Sequence, residues 1–359
     1  MDLKDVINRH TSKWMEGSGP HNDIVISSRI RLARNLKEIN FPHQLETEDA
    51  KKVVTKVEQA LSKLDGGGKK EIQQELQFIP VDSSHQLEQQ ILMERHLISP
   101  HFIGQNIPKG FVVNQNDSIS IMVNEEDHLR IQCLYPGLQL EKSWETADKV
   151  DDYLEKSLDY AYSEELGYLT VCPTNVGTGC RASVMLHLAG LVLTGQLNRF
   201  FTTLSQIGLT VRGIYGEGTE AKGNLFQVSN QITLGTNELE IVNNLEAVTR
   251  QLVEHENQAR QFLLKESGKK LEDRVHRALG ILSFARVISS NEAIHLLSDV
   301  RLGVDLGLIN GIDRKILTEL VVLTSAGSLQ KNAGTELGSE DRDIRRAAVI
   351  RERIGVAGK

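Results

Sequence analysis

The stretch Tyr168–Leu188, YLTVCPTNVGTGCRASVMLHL, decides how the chain is read. An apolar run from Tyr168 to Val171 gives way to Cys172-Pro173-Thr174-Asn175, then to Gly177 and Gly179, then to Arg181 and a helix-like segment. This reads as a strand, a turn whose glycines let backbone approach a ligand, and a helix start. Unpaired N–H groups in such a turn attract an anion, and Arg181 adds a positive charge beside them, so phosphate is the first ligand to consider. Gly177-x-Gly179-x-x-Ala182 also meets the glycine pattern of dinucleotide-binding turns, which requires an acidic residue about 20 positions further on. None stands between Arg181 and Gly216. The other alternative is a glycine-rich connection without a ligand, and the remaining arginines decide.

Upstream, Ile24–Leu32 (IVISSRIRL) alternates so that Arg29 and Arg31 share one strand face and Ile30 and Leu32 the other. Neighbouring cations on a sheet repel unless an anion lies across them; a solvated edge strand is the competing reading. Glu46–Leu64 and Ser84–Leu97 have helical spacing, with His96 closing the last turn before Pro100 as a capping or packing residue. Ser118–Leu134 reads as a hairpin with Asn124-Glu125-Glu126-Asp127-His128 at its tip. Three successive acids normally form a solvated loop, but one of them serves as a base if a cationic substrate lies against it. Arg130 and Gln132 share a face of the second strand.

Downstream, apolar helix is expected over Leu186–Leu204, a strand over Gly208–Ile214 with Arg212, then a mobile loop ending in carboxylates, then two short strands within Leu225–Leu234. Beyond Gly235 the spacing turns helical throughout, including a helix opened by Ser289-x-x-Glu292 and a last one over Ser339–Ile354. The expected outline is an α+β catalytic unit with an antiparallel sheet over residues 1–237 and an all-helical unit over 238–359.

The chain of 359 residues has 40% hydrophobic and 25% charged residues, the composition of a globular protein with a sizeable core. Its 41 basic and 48 acidic residues leave a net charge of -7, which gives no support for binding nucleic acid or an anionic membrane. The amino terminus lacks the apolar core of a secretory signal, and no apolar run approaches the ~18 residues of a membrane span. Three cysteines, Cys133, Cys172 and Cys180, without metal-ligand spacing imply reduced thiols and a cytoplasmic setting.

Arg29, Arg31, Arg130, Arg181 and Arg212 each lie in or beside an expected strand. Together they describe a concave cationic site for a polyphosphate, where bidentate guanidinium groups neutralise a phosphoryl group in transfer. Glu126 and Glu217 beside them imply a basic acceptor, because a guanidinium attacks only after a carboxylate orients it and takes a proton.

The blocks SSRIR (27–31), NEEDHLR (124–130), CPTN with GTG and RASV (172–184) and RGIYGEGTE (212–220) resemble, in order and spacing, the signature blocks of the ATP:guanido phosphotransferases, or phosphagen kinases. The resemblance implies ATP with Mg2+, whose shell phosphate oxygens and water supply for the most part; the sequence locates no protein ligand for the metal. It implies nucleotide binding by Ser27, Ser28, Arg29, Ile30 and Arg31; by His96 and Arg130; by Arg181, Ala182, Ser183, Val184 and Met185; and by Arg212, Gly213, Ile214, Tyr215, Gly216 and Glu217. Glu126 and Glu217 would grip the acceptor guanidinium, Cys172 matches the family's reactive cysteine, and Arg181 acts with them in catalysis. Members acting on free arginine or creatine carry a helical amino-terminal domain of about 100 residues. Here SSRIR begins at Ser27, so that domain is expected to be missing, and a helical unit follows the catalytic one instead. That arrangement resembles the bacterial protein-arginine kinases. It implies protein substrates with exposed arginines, an activator protein, a protease chaperone and a homodimer. Arg342, Asp343, Arg345, Arg346 and Ala347 match that group's RDxxRA motif, which implies a regulatory phosphoarginine pocket; Arg342, Arg345, Arg346 and Arg353 share a helix face.

Overall fold

The computed structural model describes residues 2–9, 11–62, 76–81, 86–104, 106–213 and 222–355. Its strands are β1 (Val25–Arg34), β2 (Gln77–Pro80), β3 (Gly110–Val113), β4 (Ile119–Val123), β5 (Leu129–Pro136), β6 (Tyr162–Ser163), β7 (Gly167–Tyr168), β8 (Cys180–His187), β9 (Leu209–Arg212) and β10 (Leu225–Asn230). Eight of them form one antiparallel sheet in the order β2-β3-β4-β5-β1-β8-β10-β9, and β6 pairs with β7 in a separate ribbon.

Two-residue alternation organises the sheet. Ile30 and Leu32 of β1, Ile131 and Cys133 of β5, Ala182, Val184 and Leu186 of β8 and Val228 of β10 point to one face and are buried. Helix Leu140–Glu155 and the first part of helix Glu238–Phe284 cover that face, contributing Ala147, Val150, Leu154, Leu245 and Leu252. Each large aliphatic side chain so withdrawn from water stabilises by about 1.5–3 kcal/mol. This face therefore fixes the register, and the alternate residues are committed to the other face.

Several sequence expectations change, among them the strand over Tyr168–Val171, of which only Tyr168 lies in a strand, β7. Cys180–His187 is a strand and not a helix, because Arg181, Ser183 and Met185 alternate with core residues Ala182, Val184 and Leu186. The expected apolar helix is two short ones, Ala189–Leu193 and Leu197–Gln206, separated at Gly195 with φ +69°. Leu225–Leu234 holds a single strand, β10, in place of two. The arginine-bearing β1 lies between β5 and β8, so it is no edge strand.

Helix Glu238–Phe284 starts at the capping residue Asn237, where the catalytic and helical units were expected to divide, and leaves helical geometry at Ser267. Ile241, Val242, Leu245, Leu252, Val253 and Ala259 belong to the sheet's core, while Leu263 and Leu264 already pack on a second. Beyond Ser267, Leu271, Val275, Ala278 and Leu282 join helices Ser290–Asp305, Arg314–Leu323, Ala326–Ala333 and Ser339–Ile354 around that second core. Ser289 caps its helix as expected, accepting from the Glu292 N–H at 3.2 Å. Among the described residues no helix is long and apolar enough to cross a membrane.

Candidate active site

The sheet's second face carries the polar set. Arg31 of β1 stands opposite Gln132 of β5 and Arg181 of β8. Arg29 stands opposite Ser183, and Met185 opposite Gln227, which in turn pairs with Arg212 of β9. Arg29, Arg31, Arg130, Arg181 and Arg212 line a single cleft of about 390 Å³, together with His96, Ser99, Glu125, Glu126, Cys172 and Gln227. Ser27, Ser183 and Met185 border its inner end beside Arg29 and His96. Ser28, Ile30, Ala182 and Val184, which the motifs group with them, face the other way: the last three are in the core, and the Ser28 hydroxyl donates to Gly137 O at 2.8 Å. Alternation allows only every second residue of each motif to present its side chain to the cleft. Gly213 ends the strand region at Arg212; Ile214, Tyr215, Gly216 and Glu217 lie outside the described residues.

Directly opposed like charges destabilise a sheet, and Arg31 and Arg181 are cross-strand partners. Burial, then Arg130 and Arg181, pull the Arg29 guanidinium down to about 9. Arg31 is pulled well below the usual arginine range by burial and by Arg29, Arg130 and Arg181, with Glu125 opposing. Its Nε is buried without a hydrogen-bond partner among the described residues. Arg29 is held by Ser183 Oγ at 3.2 Å and Gln227 Oε1 at 2.6 Å. Burial also lowers Arg130, but Glu125 and Glu126 more than compensate. The floor of the cleft is cationic, rigidly seated and short of negative charge, which suits a polyanion.

The acidic tip is sorted by burial. Glu125 is fully buried, accepts from Arg130 at 2.8 Å on both oxygens, from Ser99 Oγ and from the Glu126 N–H at 2.9 Å. Those partners outweigh burial and keep its carboxyl below the usual range. Asp127 accepts from Asn35 Nδ2 at 2.6 Å and from the Val171 N–H at 2.8 Å, and burial raises it to about 6. Only Glu126 remains half-exposed on the cleft wall, 3.9 Å from Arg130. The expectation of a solvated acidic loop is corrected, because Asn35, Ser99 and Val171 supply donors that a loop in water would not need. Glu125, Asp127, Ser99 and Gln227 are the residues the sequence reading missed. The alternation Gln227/Ser229 in β10 carried a signal for one of them; nothing local separates Glu125 from Glu126.

The Asp127–Val171 bond holds the chain that leads into Cys172, whose Sγ lies half-buried on the cleft, 3.0 Å from Thr174 Oγ1. Gly177 and Gly179, expected to open the backbone to a ligand, approach the protein itself: a Cβ on Gly177 would collide with Thr233 O, and one on Gly179 with Ala33 O and the Arg34 guanidinium. Side chains, and not a glycine nest, present the positive charge. His96 sits in the left-handed region (φ +61°), its ring edge-on to Trp14 at 5.1 Å, and burial followed by Arg29 lowers it to about 3, so it is neutral at physiological pH. No group of three or more His, Cys, Asp or Glu suited to a metal occurs among the described residues.

Away from the cleft, Arg346 is buried and donates to Thr324 O at 2.9 Å, to Ile288 O at 3.0 Å and to Asp343. Arg342 donates to Leu337 O at 3.1 Å, Arg345 to Asn332 Oδ1, and Arg353 to Glu319; Ala347 is in the second core. Arg342 and Arg345 are half-buried, and Arg346 is committed to the protein.

Comparison with known proteins agrees with this geometry. The chain matches the ATP:guanido phosphotransferase C-terminal catalytic domain over residues 52–259 and the protein-arginine kinase McsB C-terminal domain over 268–359. It is 53% identical over 357 residues to the protein-arginine kinase of Desulforamulus reducens, covering 99% of this chain and 98% of that one. It is 50% identical over 356 residues to that of Bacillus subtilis, covering 99% and 96%. Among solved structures, lombricine kinase has the same fold with a TM-score of 0.57 at 23% identity, covering 67% of this chain and 68% of that one. The duplicated taurocyamine kinase from Schistosoma mansoni, with bound transition state analog components, gives 0.58 at 26% identity, covering 77% and 39%. The chain belongs to the ATP:guanido phosphotransferase family, among its protein-arginine kinases.

Proposed function

We propose that this protein transfers the γ-phosphoryl group of ATP to arginine side chains of other proteins. The observation that carries this reading is the row of arginines on one sheet face, ending at Glu126, the half-exposed carboxylate of the cleft among the described residues. Arg29, Arg31, Arg130, Arg181 and Arg212 hold the phosphates and neutralise charge as it develops on the transferring group. Glu126 orients the incoming guanidinium and takes the proton released as nitrogen bonds to phosphorus and ADP leaves. Glu217, outside the described residues, is assigned the second carboxylate from its motif. Cys172 lies beside the acceptor, and neutral His96 packs at the nucleotide. Mg2+ accompanies the nucleotide, and phosphate oxygens and water supply most of its shell.

In the carboxy-terminal unit, Arg342 and Arg345 would receive a phosphorylated guanidine, while Arg346, Asp343 and Ala347 shape the helix that presents them. A homodimer, an activator protein, a protease chaperone that receives the marked substrates and a cytoplasmic setting complete the reading. The test compares phosphate transfer from ATP to an arginine-rich, lysine-poor protein with transfer to free arginine. The expected product is acid-labile label on protein alone, abolished by Glu126→Gln with the fold intact. Turnover of free arginine with protein untouched would instead establish a small-guanidine kinase, and no transfer to either would leave a phosphoarginine-binding adaptor.

A further inference from the structure

His96 occupies the cleft by virtue of a helix end. Helix Gln86–Glu94 closes in a paired-bond cap: the Leu97 N–H donates to Leu92 O at 2.9 Å and the His96 N–H to Met93 O at 2.9 Å, with His96 itself left-handed. This is the C-terminal motif that ordinarily takes glycine, so a histidine there is kept by its surroundings. Gln132 Nε2 donates to His96 O at 2.7 Å, and Trp14, edge-on to the ring, donates from Nε1 to Arg95 O at 3.2 Å.

The residue before this cap is buried and charged. Glu94 Oε1 accepts from the Gly327 N–H at 2.7 Å, and Oε2 from the Ser328 N–H and hydroxyl, each at 2.9 Å. One carboxylate of the catalytic unit thus caps the N-terminus of helix Ala326–Ala333 in the other unit. The approach is close because residue 327 has no side chain: a Cβ there would stand 3.1 and 3.2 Å from the Glu94 oxygens and 3.1 Å from Gln90 Cγ. At its other end the same helix accepts from Arg345 through Asn332. Glu94 and His96 also line one cavity between the sheet and the carboxy-terminal helices, with Trp14, Met185 and Ile294.

We infer that Glu94 is a positioning residue for the nucleotide site: by clasping helix Ala326–Ala333 it makes the placement of His96 depend on the carboxy-terminal unit. The inference rests on the cleft being the nucleotide site, and the experiment separates the two. KM for ATP and kcat are measured for His96→Ala, Glu94→Ala, the isosteric Glu94→Gln and Gly327→Ala, alongside ADP binding by isothermal titration calorimetry, which needs no turnover. Glu94→Ala and Gly327→Ala are each expected to raise KM for ATP about tenfold, the worth of one charge-assisted hydrogen bond, with kcat and the KM for acceptor protein little changed. The double variant adds nothing further, because both break one link. Glu94→Gln keeps one acceptor, retains the fold and falls between. A purely structural role would reduce the active fraction and leave KM and ADP affinity at the native values, which overturns the inference. If ADP does not bind the native protein, the nucleotide reading of the cleft fails; if ADP binds but His96→Ala leaves its affinity unchanged, or if only His96→Ala weakens it, Glu94 has no positioning role and the inference is overturned.

Discussion

Replacing Asp127 by asparagine is expected to stabilise the protein at neutral pH, although it removes a buried hydrogen-bonded carboxylate. Both donors that reach Asp127, Asn35 Nδ2 and the Val171 N–H, bond to the same oxygen, Oδ1. An asparagine oxygen in that place keeps both bonds, and its NH2 replaces Oδ2, which accepts no hydrogen bond among the described residues. What disappears is the buried charge. Burial raises Asp127 from 3.8 to about 6, with Glu126 adding repulsion and the two donors and Arg130 opposing. A rise of roughly two pH units costs the folded state about 3 kcal/mol once the group is ionised. Well below pH 4 the carboxyl is protonated both folded and unfolded, and the cost is absent. It grows as pH rises towards 6 and is complete above that. Urea denaturation of both proteins at pH 5 and pH 8 should show Asp127→Asn the more stable, with a gain about 1.5 kcal/mol larger at pH 8 than at pH 5. A gain equal at the two pH values, or an asparagine variant less stable at pH 8, would refute the account of Asp127 as a carboxylate kept in place at the expense of stability.

Arg31→Met should leave the melting temperature of the free protein equal or higher, since it removes a cation opposed by Arg181, while abolishing the rise that ATP or inorganic triphosphate gives the native protein; differential scanning calorimetry with and without triphosphate measures both. Asp151→Ala should cost about 3–5 kcal/mol in chemical denaturation, because Arg34, buried against the Tyr168 ring at 3.5 Å, loses the carboxylate that holds it at 2.6 Å. Gly177→Ala should destabilise by about 1–3 kcal/mol in the same assay, as φ is +109° and the added methyl meets Thr233 O.

What the sequence disclosed and what it withheld divide along a physical line. Arg29 and Arg31 were legible because a strand's period is two, and their neighbours Ile30 and Leu32 state which side is core. Glu126 and Arg130 were legible because a hairpin tip and its first paired residues are local. β8 was misread because Ala182, Val184, Leu186 and Leu188 run into a further apolar stretch, and only the sheet decides that Arg181, Ser183 and Met185 form a face. Burial of Glu125 and Asp127 was not legible at all. Their donors, Ser99 and Asn35, lie 26 and 92 residues away in sequence. Glu94 is the extreme case, an acid on an expected helix whose partners are 233 and 234 residues downstream.

On the proposed function, the location of β1 is what lets these pieces act together. An edge strand has one neighbour, so cations on it splay into water and lose little by doing so. β1 has β5 on one side and β8 on the other, and places Arg31 between Gln132 and Arg181 with nowhere to relax. The repulsion is tolerated because the same residues' neighbours lock the opposite face into the core, so the sheet cannot slip register to relieve it. On the proposed function, a phosphate chain entering the cleft would meet charge already fixed in position, with no reorganisation required at the moment of transfer. The stability forgone in the free protein would then reappear as affinity for the transferring group, and on that reading the arginine row and the apolar layer beneath it form one device.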